Sequence, residues 1–291
     1  MSLDRIRLAS LHDKVMSAEQ AASFIENDMT VGMSGFTRAG EAKAVPQALA
    51  ERAKKNPLKI TLITGASLGN DLDKKLTEAG VLARSLPFQV DNTLRKAINK
   101  GEVMFIDQHL SETVEQMRNL QLKKPDVAII EAVAITEDGG IVPTTSVGNS
   151  ASFAIFAEKV IVEINTNLSP AFEGLHDIYI PSYRPTRQAI PLTQVDERIG
   201  THAINIDTAK IVGIVINNEY HDSPSTVTEP DDETQGIANH LINFFEQEVA
   251  AGRLPKDLGP LQAGIGSIAN AVLTGLKDSN FEDLVMYSEV L

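Results

Sequence analysis

Short runs of β-branched and aliphatic residues recur along this chain, each running into a turn of small residues, with helical spacing between several of them. Met29 to Met33 ends at Ser34-Gly35, and Leu58 to Ile63 ends at Gly65-Ala66-Ser67. Val103 to Ile106, Val127 to Ala134, Val160 to Ile164 and Ile211 to Ile216 follow in the same style. Val160 to Ile164 and Ile211 to Ile216 in particular are short β-rich runs of the kind buried on both faces of a parallel sheet. Strand, turn and helix in repeated succession predict an α/β protein with an open, mostly parallel sheet and helices on both faces.

The intervening segments support that beat. Ser17 to Asn27 reads as a short helix with a capping box of Ser17 and Gln20. Lys43 to Lys55 has helical spacing at Val45, Leu49 and Arg52, with Pro46 early enough for a first turn. Ser111 to Leu120 reads as a helix capped by Ser111. In open α/β sheets ligands sit at the carboxyl ends of strands. The loop at Gly35, Phe36 and Gly40 is therefore a candidate substrate contact, beside the plainer reading of an ordinary turn. Ser67 is a second candidate, able to place a hydroxyl beside a reacting carboxylate or simply to cap a helix.

Composition narrows the function. The formal net charge of −13, from 26 Lys+Arg and 39 Asp+Glu, disfavours nucleic-acid binding, which needs a basic surface. Without cysteine there is no disulfide, thiol nucleophile or thiolate metal site, which suits the cytoplasm. The histidines at 12, 109, 176, 202, 221 and 240 lack metal-ligand spacing, so no metal is expected. His109 reads as structural. The start of the chain has no signal-peptide core, and no apolar run is long enough for a membrane helix. Pro170 to Pro191, with four prolines and Tyr179, Tyr183, Arg184 and Arg187, cannot be a long helix. It reads as a surface excursion, either a solvated loop or a subunit contact in a homodimer or higher homo-oligomer.

Ser223 to Glu233 reads as a loop ending in a helix start, with Thr228 or Glu229 before Pro230 as first helical residue and Asp231, Asp232 and Glu233 in the first turn. That helix runs to Gly252. Residues 1–225 are thus expected to form a first domain, and 226–291 a linker helix with the start of a second, similar one.

The last segment carries the most chemistry. Gly264-Ile265-Gly266 opens a helix in which Ile268, Ala271, Val272 and Leu276 recur at helical steps, and Leu284 to Tyr287 then leads to Ser288-Glu289. Gly264, Gly266 and Ala269 fit G-x-G-x-x-A, with Glu289 where a dinucleotide fold places its ribose-binding acid, which would make an NAD(P)-dependent oxidoreductase. Alternatively the free N–H groups of Gly264 to Ser267 form an anion site faced by Glu289 as a nucleophile. A bland turn and a solvated strand-end glutamate fit the spacing equally well.

QAGIGSIANAV followed by MYSEVL resembles the paired motifs of the acetyl-CoA hydrolase/transferase family, the class I coenzyme A transferases. The resemblance continues in SGFTRAGEAKAVPQALA, LITGAS, FIDQHLSE, DVAIIEA and SVGNS, in order over nearly the whole chain. It implies that Glu289 is the catalytic nucleophile. Gly264, Ile265, Gly266, Ser267 and Ile268 would contact coenzyme A and supply a backbone donor for the thioester oxygen. Gly35, Phe36 and Ser67 would belong to the substrate pocket. The implied activity moves CoA between short-chain carboxylic acids, or hydrolyses acetyl-CoA with the same glutamate. CoA would be a substrate, with no permanently bound cofactor. Family members continue past the glutamate into a second α/β half, whereas this sequence stops two residues later and reads as a front fragment.

Overall fold

The computed structural model describes residues 3–37, 39–66, 71–191, 194, 197–220, 229–264 and 266–288. The chain divides into two compact units, Met1–Ser223 and Pro224–Leu291. In the first, β1 (Thr30–Met33), β2 (Ile60–Ile63), β3 (Leu82–Leu86), β4 (Met104–Phe105), β5 (Val127–Ile135), β6 (Ile141–Pro143), β7 (Lys159–Asn165) and β8 (Ile211–Asn217) form one 8-stranded sheet. Its order is β4-β3-β2-β1-β5-β7-β8, every neighbour along that path parallel. The exception is β6, which folds back antiparallel on the far end of β5 through the Glu137–Gly140 turn.

α1 (Ala18–Ala22) precedes β1, and between the strands lie α2 (Ala44–Lys55), α3 (Leu72–Glu78), α4 (Asn92–Asn99), α5 (Leu110–Arg118) and α6 (Ser150–Phe156). All nine residues of β5 are buried. Alternate residues enter different cores, as the strand period of two requires. Val127 and Ile129 join Val31, Leu62, Ile161 and Leu49 of α2, while Ala128 and Ile130 join Phe153 of α6, Val162 and Ile214. The near-continuous apolar runs of the sequence are thus explained by burial on both faces. From β1 the chain moves outward through β2, β3 and β4, then returns to β5 on the other flank of β1. The carboxyl ends of β1 and β5 therefore mark the topological switch point, where such sheets bind ligands.

In the second unit, α7 (Asp232–Ala250) precedes β9 (Leu261–Ala263), α8 (Ser267–Lys277) and β10 (Met286–Ser288). β9 and β10 pair in parallel, with Met286 beside Leu261 and Ser288 beside Ala263, so α8 is the crossover of a small β-α-β unit. The helices pack closely enough that a Cβ on Gly275 would lie 3.4 Å from Ile242 Cγ1.

Several local expectations are corrected. Ser111 is not a cap: α5 starts one residue earlier and His109 occupies the cap position. Pro230 is not the first helical residue either, because Asp231 caps α7, its carboxylate accepting from Thr234 N at 2.8 Å. Ile268 was assigned to the buried face of α8 and is 52% exposed, leaving Ala271 and Leu276 as the buried residues of that helix. The helix from Ser17 is only five residues long, although its capping box forms as expected. Thr228 lies outside the described residues.

Candidate active site

Three loops meet at the switch point, and glycine makes the meeting possible. After β1 the chain turns through Ser34, Gly35 and Phe36; after β2 it turns at Gly65; after β6 it passes through Val147, Gly148 and Asn149. A Cβ on Gly65 would lie 2.4 Å from the Gly35 carbonyl oxygen and 3.6 Å from the Asn149 backbone nitrogen. No side chain fits there, so Gly65 is required by the close approach of backbones. A Cβ on Gly148 would lie 3.6 Å from Phe36 Cβ and 3.9 Å from Gly65 Cα, completing the cluster. Of the proposed substrate-pocket residues, Gly35 and Phe36 are thus placed together; Ser67 lies outside the described residues. The Gly148-Asn149 loop was part of a resemblance motif but not expected at the pocket, since nothing local in the sequence reports which loops converge.

Beneath these loops sits a buried polar network, on the strand face that packs against α2. Glu131 of β5 is paired with Lys43, Nζ to Oε1 2.5 Å, and both side chains are almost fully enclosed. Glu131 also accepts from Thr144 Oγ1 at 2.6 Å and Asn165 Nδ2 at 2.9 Å. Its cross-strand neighbour Glu163 accepts from the backbone N–H groups of Lys43 (2.8 Å), Ala44 (2.9 Å) and Val45 (3.1 Å). A carboxylate from another strand therefore caps α2, whose own cap residue supplies no side-chain acceptor. Burial pushes the Glu131 carboxyl up to about 7, against the pull of Lys43 downward, and burial also raises Glu163. Ser34 Oγ ties the loop to this floor, donating to Gly40 O at 2.9 Å and accepting from Glu131 N at 2.8 Å. Sequence reading missed the network, because Glu131 and Glu163 each stand inside an apolar run.

In the second unit the glycine turn follows β9 directly. Gly266 has φ +121°, a conformation that side-chain-bearing residues rarely adopt, and caps α8. Among the described residues, a Cβ on Gly264 or Gly266 would meet nothing within 4 Å, which leaves the turn open on that side. Ser267 and Ile268 begin the helix, where backbone N–H groups lack intrahelical acceptors. The register brings Ser288, the last described residue of β10, beside Ala263, immediately before the turn. Ile265 and Glu289 lie outside the described residues.

Residues 2–216 match the model of the acetyl-CoA hydrolase/transferase N-terminal domain. The chain belongs to the acetyl-CoA hydrolase/transferase family. It is 44% identical over 289 residues to the succinyl-CoA:acetate CoA-transferase of Clostridium kluyveri, covering 99% of this chain and 54% of that protein. It is 43% identical over 298 residues to the acetyl-CoA hydrolase of Schizosaccharomyces pombe, covering 99% and 57%. This member therefore spans little more than half the length of those relatives. Among solved structures, RipA from Yersinia pestis has a TM-score of 0.68 at 19% identity, covering 97% of this chain and 57% of that one. The Escherichia coli acyl-CoA transferase YdiF, solved as a thioester complex with CoA, has a TM-score of 0.61 at 13% identity, covering 94% and 61%. At those identities the likeness is one of fold, the α/β CoA-transferase-like architecture. Among the described residues, no helix is long and apolar enough to cross a membrane and no cluster of ligating side chains could hold a metal ion.

Proposed function

We propose that this chain carries the nucleophile of an acyl-CoA:carboxylate CoA-transferase that works through a glutamyl-CoA thioester on Glu289. The supporting observation is the parallel β9–β10 pair: its carboxyl ends run side by side, at Ala263 before the glycine turn and at Ser288 before Glu289. A carboxylate following one strand and open backbone donors following the other suit a reaction in which an acyl oxygen becomes an oxyanion.

In this reading the Glu289 carboxylate attacks the thioester carbonyl carbon, the C–S bond breaks, and CoA thiolate leaves an acyl-glutamyl anhydride. The thiolate attacks the glutamyl carbonyl and expels the first carboxylic acid as its carboxylate. An acceptor carboxylate attacks the resulting thioester and expels the thiolate, which then takes the acyl group and frees Glu289. Gly264, Ile265, Gly266, Ser267 and Ile268 form the CoA-binding and oxyanion turn, with the backbone N–H groups of Ile265 and Gly266 as donors. Gly35, Phe36 and Ser67 belong to the substrate pocket.

Water in place of the acceptor turns the same chemistry into acetyl-CoA hydrolysis, the activity named for the yeast relative. The NAD(P) reading of the glycine turn draws no support from the family. Residues 1–225 are read as the first CoA-transferase domain, and 226–291 as a linker helix and the opening of a second, catalytic one. We place the protein in the cytoplasm as a homodimer or higher homo-oligomer, with acyl-CoA and short-chain carboxylates as partners and no permanently bound cofactor. The test, made on the full-length protein, is a panel of acetyl-, propionyl-, butyryl- and succinyl-CoA against short carboxylic acids, scored by which new CoA ester appears. Transfer to at least one acid is expected; consumption of every donor with only free CoA produced points to the hydrolase, and no turnover of any donor contradicts the reading.

A further inference from the structure

Among the described residues, several polar side chains around the three glycine loops have partners. Ser34 Oγ bridges Gly40 O and Glu131 N, Thr144 Oγ1 donates to Glu131, and Ser146 Oγ donates to Ala39 O at 2.8 Å. Two neighbours break the pattern: Asn149 Nδ2 and Ser150 Oγ are buried and have no hydrogen-bond partner among the described residues. Ser150 is 1% exposed. Their backbones are well held, with Ser150 N donating to Val147 O at 2.9 Å and Phe153 N to Asn149 O at 3.0 Å, so a misfolded loop does not explain the orphans. An enclosed donor without an acceptor is costly and uncommon in a native protein, and each case calls for a reason.

Their position supplies one. Asn149 lies where the loops after β1 and β2 converge, its backbone nitrogen 3.6 Å from where a Gly65 Cβ would stand. The cluster is reached from solvent: Gly148 is exposed, and Phe36 and Asn149 are half-buried.

We propose that Asn149 Nδ2 and Ser150 Oγ are the donors of a subsite for the carboxylate group of a short-chain acid. Two adjacent neutral donors match the two oxygens of a carboxylate. They also release it more readily than a cation would, as an acceptor that must react and depart requires. The assignment rests on the reading of this chain as one that handles carboxylic acids, and names where the acid is held.

The experiment follows the Asn149 side-chain NH₂ resonance by NMR, alongside thermal melting, as acetate, propionate and succinate are titrated into the protein. Chloride at equal ionic strength is the control. Acetate should shift the Asn149 resonance saturably and raise the melting temperature, and chloride should do neither. Asn149→Ala and Ser150→Ala remove an orphaned donor, so each acid-free variant should melt at the parent temperature or about 2–4 °C above it. Both variants should lose the stabilisation by acetate. A purely structural role predicts the opposite, a lower melting temperature with the acetate effect intact. An Asn149 resonance unmoved by all three acids overturns the subsite, even if CoA transfer is normal. Saturable binding at Asn149 in a protein that transfers no CoA sustains the subsite and removes the transfer reading.

Discussion

Replacing Lys43 by Met should destabilise the first unit strongly, and by an amount that grows with pH. Lys43 Nζ lies 2.5 Å from Glu131 Oε1, with the side chains 6% and 0% exposed. Breaking a buried pair leaves the surviving charge uncompensated and costs about 3–5 kcal/mol. Here the survivor is a carboxyl that can escape the penalty by taking up a proton. In the parent, burial already pushes Glu131 from 4.5 to about 7. A group raised in the folded state contributes stability that is fully present below its unfolded value and lost as pH rises through the folded one. Between pH 4.5 and 7 the parent thus gives up about 3 kcal/mol through this residue, at about 1.4 kcal/mol per unit. Without Lys43 the folded value moves higher still, so the loss continues above pH 7. The full cost of Lys43→Met should appear at pH 8 and shrink toward pH 5. Glu131→Gln, which has nothing to titrate there, should flatten the profile; the raised Glu163 keeps a residual slope of the same sign in all three proteins. Because the chain has no tryptophan, the assay is urea unfolding by far-UV circular dichroism at pH 5, 6, 7 and 8. A Lys43→Met protein within about 1 kcal/mol of the parent at pH 8, or a Glu131→Gln profile parallel to the parent's, would refute the reasoning, since buried pairs should cost more than that.

Two further outcomes follow from the glycines. Gly266→Val should leave the circular dichroism spectrum intact and lower CoA turnover by at least about 100-fold, the scale of a lost oxyanion donor; its backbone φ of +121° disfavours a branched residue although the space beside it is open. Steady-state kinetics near the parent's would remove the turn from the mechanism. Gly65→Ala should cost about 1–3 kcal/mol of stability by overpacking, because its Cβ would stand 2.4 Å from the Gly35 carbonyl oxygen; an unchanged melting temperature would mean the loops are not in contact.

The sheet was legible in the sequence because its central strands are buried on both faces: Val127 to Ile135 and Val160 to Ile164 have no polar face to disguise them. β3 was missed where Arg84 and Ser85 interrupt its apolar run, and β6 because three residues pairing only with the end of β5 carry no period of their own. Cap positions were read two residues off at α5 and two or three off at α7, where Ser111 and Thr228 or Glu229 were plausible caps but His109 and Asp231 hold the place. The glycine turns were found because Gly35 and Gly266 have local reasons to be glycine. The turn at Gly65 was found too, but its convergence with Gly35 and Asn149 depends on other loops, and no spacing within one segment reveals it. Glu131 and Glu163 were hidden for the same cause: a charge within an apolar run becomes intelligible only when Lys43 and the open amino end of α2 are brought to it across the sheet.

The central claim is that Glu289 carries the CoA group in covalent form. The direct measurement is incubation with acyl-CoA in the absence of an acceptor, followed by borohydride reduction or hydroxylamine trapping and peptide mass analysis. The account predicts modification of the peptide containing Glu289 only after acyl-CoA treatment, and neither label nor transfer in Glu289→Gln. Label on a different residue, or full transfer by the Gln protein, would contradict it.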